Sequence, residues 1–151
     1  MRPPDNPQHL LFGGTFVLAN KLQFVGDKLV EGLSTKQWFL LRNLMDMPIE
    51  PPPTITQVSQ TMDSTRQNIA KMLEPMEREG FVTIENSPTD HRSRSIRITA
   101  KGLEYARQTA ENGRHFLERL FEGIGSEECD AAGKVFVKMI QNLEKMQEEL
   151  P

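Results

Sequence analysis

Cysteine is almost missing from this chain: Cys129 stands alone, so an intramolecular disulfide framework is excluded and a reducing compartment, the cytoplasm, is expected. Tryptophan and tyrosine occur once each, and the three histidines are too scattered to suggest a metal site. No apolar run approaches the ~18 residues of a membrane span, and the stretch after Met1 lacks the apolar segment and cleavage site of a signal peptide. A glycine-rich phosphate loop, a Ser-His-Asp set and a His-Glu-x-x-His helix are all wanting, so no enzyme activity, cofactor or metal is expected. Neither sign of charge dominates. A net charge of −3 does not announce a nucleic-acid or membrane partner in bulk, and any such patch must be local.

What is present is one domain's worth of sequence, 151 residues, with a core that a partner has to complete. Residues 8–33 carry Leu11, Leu18, Leu22, Val25 and Leu29 at helical spacing, with Phe12, Phe16 and Phe24 widening the face. Ser34 and Gln37 make a capping box for a second helix that turns Trp38, Leu41, Leu44 and Met45 inward. Pro48, Pro51, Pro52 and Pro53 then remove amide donors and form a stiff connector. Two further boxes, Thr54 with Gln57 and Ser64 with Gln67, open a pair of short helices with stripes through Val58 and Met62 and through Ile69, Met72, Leu73 and Met76. Pro75 predicts a kink or an early end of the second of these near residues 71–75.

The pattern turns to alternation at Val82 and Ile84 and again at Ile96 and Ile98, with Asn86, Ser87, Pro88 and Asp90 between, which predicts a two-stranded hairpin. Thr99 caps a fifth helix through Leu103, Ala106, Phe116, Leu117 and Leu120. Ser126 starts a sixth, with Glu127 and Glu128 favoured in its first turn and a stripe through Val135, Phe136, Met139 and Leu143. The end helices carry more apolar surface than so small a centre can cover, and a homodimer formed by them is the economical solution. Cys129 lies near the start of the sixth helix, but Glu127, Glu128 and Asp130 oppose a thiolate there, and it is read as inert.

Charge is concentrated where the hairpin is. Residues 86–101 hold four basic side chains and one acid, and His91 adds charge when protonated. The helix after Ser64 opens with Thr65, Arg66, Gln67 and Asn68, followed by Lys71, all away from its apolar stripe. Arg matches guanine O6 and N7, Gln and Asn match adenine N6 and N7, and the helix start offers amides to a phosphate. Helix, tight turn, polar-nosed helix and basic hairpin together are the layout of a winged helix-turn-helix.

These residues resemble the MarR family of transcriptional regulators over nearly the whole chain. The resemblance is carried by Leu33-Ser34-Thr35-Lys36-Gln37, by the run from Leu73 to Val82, by Asp90-His91-Arg92-Ser93, and by Ile96-Arg97-Ile98-Thr99-Ala100-Lys101-Gly102. It implies a mainly α fold with a small β-hairpin wing: a winged lobe at 34–98 with the wing at about 82–98, and dimerisation helices at 8–33 and 99–150. It further implies a homodimeric, ligand-responsive repressor on a palindromic operator. Ser64, Thr65, Arg66, Gln67, Asn68 and Lys71 would meet the major groove, and Arg92, held by Asp90, the minor groove, with Arg94 a second backbone contact. Phe12, Phe16 and Trp38 would face a small aromatic effector. The alternative is a winged-helix protein-interaction module without DNA binding, motivated by Pro75 and the net acidity.

Overall fold

A computed structural model describes residues 6–29, 31–88, 90 and 92–150; His91 lies outside them. The element order is α1 (Pro7–Leu29), α2 (Thr35–Asp46), α3 (Ile55–Thr61), α4 (Arg66–Arg78), β1 (Val82–Asn86), β2 (Arg94–Ile98), α5 (Ala100–Leu120) and α6 (Ser126–Glu148). Two compact bodies are present, residues 1–114 and 115–151, with α5 running from the first into the second.

In the first body the caps decide where helices begin. Ser34 takes the Gln37 amide on its hydroxyl at 3.3 Å while the Gln37 side chain accepts from the Ser34 N–H at 2.9 Å. Thr54 and Gln57 repeat the arrangement at 3.2 and 2.8 Å. Each box satisfies two amides that a helix start leaves without partners. α4 departs from the expected Ser64–Gln67 box. Asp63 adopts a φ of +44°, the Ser64 N–H turns back to the Ser59 carbonyl at 2.9 Å, and the cap passes to Thr65, whose hydroxyl accepts from the Asn68 amide at 3.1 Å. The one-residue shift follows from the tight turn, which uses Ser64 as its last member. A one-residue shift in the other direction occurs at α6, where Gly125 is the cap, its N–H donating to the Glu128 carboxylate at 2.8 Å, and Ser126 is already helical.

Nor does α4 stop at its proline. It continues through Pro75 to Arg78, which corrects the expected early end. Ile69 and Leu73 before the proline and Met76 after it are all fully buried, and that burial outweighs the one hydrogen bond the ring deletes.

The core gathers Leu40, Leu41 and Leu44 of α2, Val58 of α3, the α4 stripe, and Phe81, Val82 and Ile96 of the wing base. β1 and β2 are antiparallel, pairing Val82 with Ile98, Ile84 with Ile96 and Asn86 with Arg94. The proline connector joins this sheet, for the Pro53 carbonyl accepts the Ile96 N–H at 2.9 Å and Thr54 bridges Ser95. Thr99 caps α5 as expected, accepting the Gly102 amide at 3.0 Å. A Cβ on Gly102 would overlap the Phe81 carbonyl, so only glycine lets α5 leave the strand this closely.

The second body, the last turn of α5 and α6, buries no α6 side chain; Phe136, Ile140 and Leu143 are exposed.

Candidate nucleic-acid interface

α4 is two-faced. Ile69, Leu73 and Met76 face the core, while Thr65, Arg66, Gln67, Asn68 and Lys71 are exposed. The Thr65 hydroxyl is committed to the cap. The side chains of Arg66, Gln67, Asn68 and Lys71 have no hydrogen-bond or ion-pair partner among the described residues, so three amide or guanidinium forks and an ammonium stand available on one helix start. Ser64 is half-buried in the preceding turn, with its amide engaged; it belongs to the support of the nose rather than to its exposed face.

The hairpin tip is organised by Asp90. Its carboxylate accepts the Arg92 backbone N–H at 3.0 Å and the Ser93 hydroxyl at 2.6 Å, and its carbonyl accepts the Ser93 amide at 2.8 Å. Ser87 closes the turn by donating its N–H to the Ser93 carbonyl at 2.8 Å. Asp90 therefore positions Arg92 through the backbone, and the exposed guanidinium has no partner among the described residues. Arg94 is exposed too but reaches across the hairpin to the Ile84 carbonyl at 3.1 Å.

The other two cations counted in the hairpin are spent internally. Arg97 pairs with Glu50 at 2.7 and 3.3 Å and approaches Glu85 at 3.7 Å. That pairing holds the Arg97 guanidinium above its ordinary pKa and the Glu50 carboxyl below its own. The Lys101 ammonium lies over the Phe81 ring at 4.7 Å and donates to the Glu79 carbonyl. The basic prong is thus Arg92 with Arg94, a narrower feature than charge counting suggests.

The three aromatics expected to face an effector do not come together. Phe12 and Phe16 stack edge-to-face on exposed α1, with centroids 5.3 Å apart. Trp38 is half-buried, donates its indole N–H to the Thr109 hydroxyl at 3.0 Å, and lies where a Cβ on Gly113 would fall, a structural joint of α2 to α5. A cavity of about 190 Å³ sits elsewhere, between the end of α2, the proline connector, β2 and Leu103.

Sequence reasoning missed two polar joints: Asp27, which accepts both the amide and the hydroxyl of Thr35 at 2.6 Å, and Tyr105, whose hydroxyl donates to the Glu31 carbonyl at 2.8 Å. Those hydrogen bonds hold the Asp27 carboxyl below its usual pKa. The separations of 8 and 74 residues leave no periodic signal.

Among the described residues no helix is long and apolar enough to cross a membrane. Residues 33–102 match the winged helix DNA-binding domain. The chain is 31% identical over 94 residues to the transcriptional activatory protein BadR of Rhodopseudomonas palustris, covering 61% of this chain and 54% of BadR. It thus spans about half the length of the curated relatives it matches. A MarR protein from Peptoclostridium difficile superposes with a TM-score of 0.81 at 18% identity, covering 100% of this chain and 96% of that one. MepR of S. aureus, solved as a DNA complex, superposes at 0.80 with 16% identity over 92% and 99% of the two chains. Residues 33–102 thus form a winged helix domain, and the fold of the chain is that of MarR-family structures.

Proposed function

We propose that this protein is a sequence-specific regulator of transcription that binds double-stranded DNA as a homodimer. The observation that carries the reading is the pairing of the exposed Arg66, Gln67, Asn68 and Lys71 of α4 with the exposed Arg92 guanidinium at the tip of the wing, none of them with a side-chain partner among the described residues. Two such lobes related by a two-fold axis would set their α4 helices in major grooves about one turn apart, ~34 Å, on a palindromic operator. Arg66, Gln67 and Asn68 read base edges, Lys71 and the α4 amides meet phosphates, and Arg92 enters the adjacent minor groove. Exposed Phe136, Ile140 and Leu143 of α6 and Leu18 and Phe24 of α1 supply the apolar faces that a second copy covers.

The protein works in the cytoplasm, as a repressor that blocks polymerase and is released by a small aromatic effector. The effector favours a dimer whose lobes no longer match the operator spacing. Its contacts include exposed Phe12 and Phe16. The interaction-module alternative rests on Pro75 and the net acidity; α4 runs on through Pro75, and its exposed nose and Arg92 favour the DNA-binding reading.

The test is a salt series of binding to the chain's own upstream intergenic DNA and to a scrambled duplex. Wild type binds its operator selectively with a steep negative salt slope. Arg92→Ala weakens binding to all duplexes and flattens that slope by about one, whereas Gln67→Ala loses about 1–3 kcal/mol of discrimination at particular base pairs. Normal binding by Arg92→Ala would sink the wing assignment, and no binding to either duplex at low salt would sink the regulator reading.

A further inference from the structure

One side chain at the start of α2 has two tasks. The Gln37 carboxamide oxygen accepts the Ser34 N–H at 2.9 Å and so completes the capping box. Its nitrogen, on the other side of the same planar group, donates to the Met72 carbonyl of α4 at 3.2 Å. Gln37 and Met72 are both half-buried, so this is a bond inside the lobe rather than across open solvent.

The place where α4 is gripped matters. Pro75 has no N–H, so the Lys71 carbonyl lacks its usual donor four residues on, and the turn containing Lys71 and Met72 is the one the helix holds least tightly by itself. The exposed residues Arg66, Gln67 and Asn68 occupy the first turn, directly ahead of that loosened one. A donor from α2 on the Met72 carbonyl therefore fixes α4 between its nose and its proline.

The opposite side of the same α2 turn is fastened to α1. Thr35 sends its amide and its hydroxyl to Asp27 at 2.6 Å each, and its hydroxyl also lies 3.3 Å from the Gln23 carbonyl. A Cβ on Gly26 would overlap that hydroxyl, so the two helices meet without slack. Three polar positions within one turn, Ser34, Thr35 and Gln37, thus join α1 to α4 through α2.

We infer that Gln37 is a positioning residue for DNA reading: its carboxamide sets α4 against α2 and, through the Thr35–Asp27 joint, against α1. This rests on the DNA-reading proposal above and adds a residue that touches no DNA. A shift of α1, such as a change in dimer geometry would produce, is passed to the reading nose by this turn. Apolar burial along the α4 stripe is non-directional, whereas the Gln37 bond to the Met72 carbonyl has a preferred geometry and so adds an orientational restraint.

The separating variant is Gln37→Glu. A glutamate at this position serves the capping box as well as glutamine does and suits the positive end of the helix, so α2 keeps its start. A carboxylate has no hydrogen to donate, however, and faces the Met72 carbonyl with like partial charge. Full-length wild type, Gln37→Glu and the cap-removing control Ser34→Ala are compared by amide hydrogen exchange and by binding to the selected operator and a scrambled duplex. The expected result is that Gln37→Glu leaves α2 amides protected, speeds exchange across residues 66–74 of α4, and lowers operator affinity about tenfold while scrambled-duplex affinity and salt slope stay unchanged. Ser34→Ala shows the converse, faster exchange at the α2 start with selectivity kept.

Unchanged α4 exchange in Gln37→Glu overturns the inference whatever DNA does, because the joint then carries no restraint. Faster α4 exchange with undiminished operator selectivity overturns it as well, since the bond is then structural only. A wild-type chain that prefers no duplex sinks the DNA-reading proposal and with it the reading role of Gln37, while the exchange measurement still reports whether the α2–α4 restraint exists.

Discussion

The winged lobe and the last helix handle their apolar side chains in opposite ways. Every buried large hydrophobic among the described residues lies between Leu33 and Phe81 or in the Val82, Ile96 and Ala106 group that follows, so the lobe closes on itself. α6 is amphipathic over 23 residues and buries none of them. α1 buries only Gly26. A chain of this length can therefore contain a self-enclosed winged lobe and, in the same sequence, helices whose apolar faces it leaves exposed, which the proposed homodimer would cover. For such helices stability is a function of protein concentration.

The largest test of that contrast sets a core leucine against an end-helix leucine. Leu73 is 0% exposed, and Leu73→Ala is expected to cost about 3–5 kcal/mol in urea unfolding at every protein concentration. Leu143 is 61% exposed, and Leu143→Ala should act mainly through the concentration dependence of the melting temperature. Equal, concentration-independent losses in both variants would erase the distinction. An intermediate effect belongs to the lobe's surface. Thr65→Ala removes the α4 cap and should cost about 1 kcal/mol, read as a lower unfolding midpoint, with the core of the lobe intact. A loss as large as that of Leu73→Ala would mean that the lobe depends on its surface as much as on its core.

The smallest effect concerns the joint between the two kinds of region. The Asp27 carboxyl is held below its usual pKa by its two hydrogen bonds from Thr35. A group whose folded pKa is depressed adds stability above its unfolded pKa, ~3.9 for aspartate, and that stability is lost as pH falls through the folded value. Acidification below about pH 4 should therefore speed amide exchange at the end of α1 and the start of α2 before the α4 core amides respond, and Asp27→Asn should remove this pH dependence. Simultaneous loosening of α4 in wild type would show that the joint and the core open as one unit.

Much of this organisation was readable in advance because it is local or periodic. The stripes through α2 and α4 and the boxes at Ser34 and Thr54 require only a spacing of three or four residues, and the hairpin pairs Val82 and Ile84 with Ile98 and Ile96 as the alternation implies. The α4 cap was not readable to the residue, since Ser64 and Thr65 are both favoured cap residues; the choice is made by the φ of Asp63 and the Ser64 to Ser59 bond. The early end expected at Pro75 fails for a different reason. Propensity describes a helix in isolation, and here Leu73 and Met76 on either side are held by the core. The exposure of Arg66, Gln67 and Arg92 was legible from their type and place. The fates of Arg97, taken by Glu50, and Trp38, taken by Thr109, were not, because each partner is a tertiary neighbour 47 or 71 residues distant.

The proline connector also protects the wing from aggregation. A two-stranded ribbon presents two open edges, each able to pair with a strand from another molecule. On the β2 side that edge is taken by Pro53 and Thr54, and the neighbouring Pro51, Pro52 and Pro53 have no amide hydrogens with which a ladder could be extended. The segment that first reads as a rigid spacer thereby ends the sheet, so the wing can stand out from the lobe, carrying Arg92 at its tip, with its β2 edge closed to foreign strands.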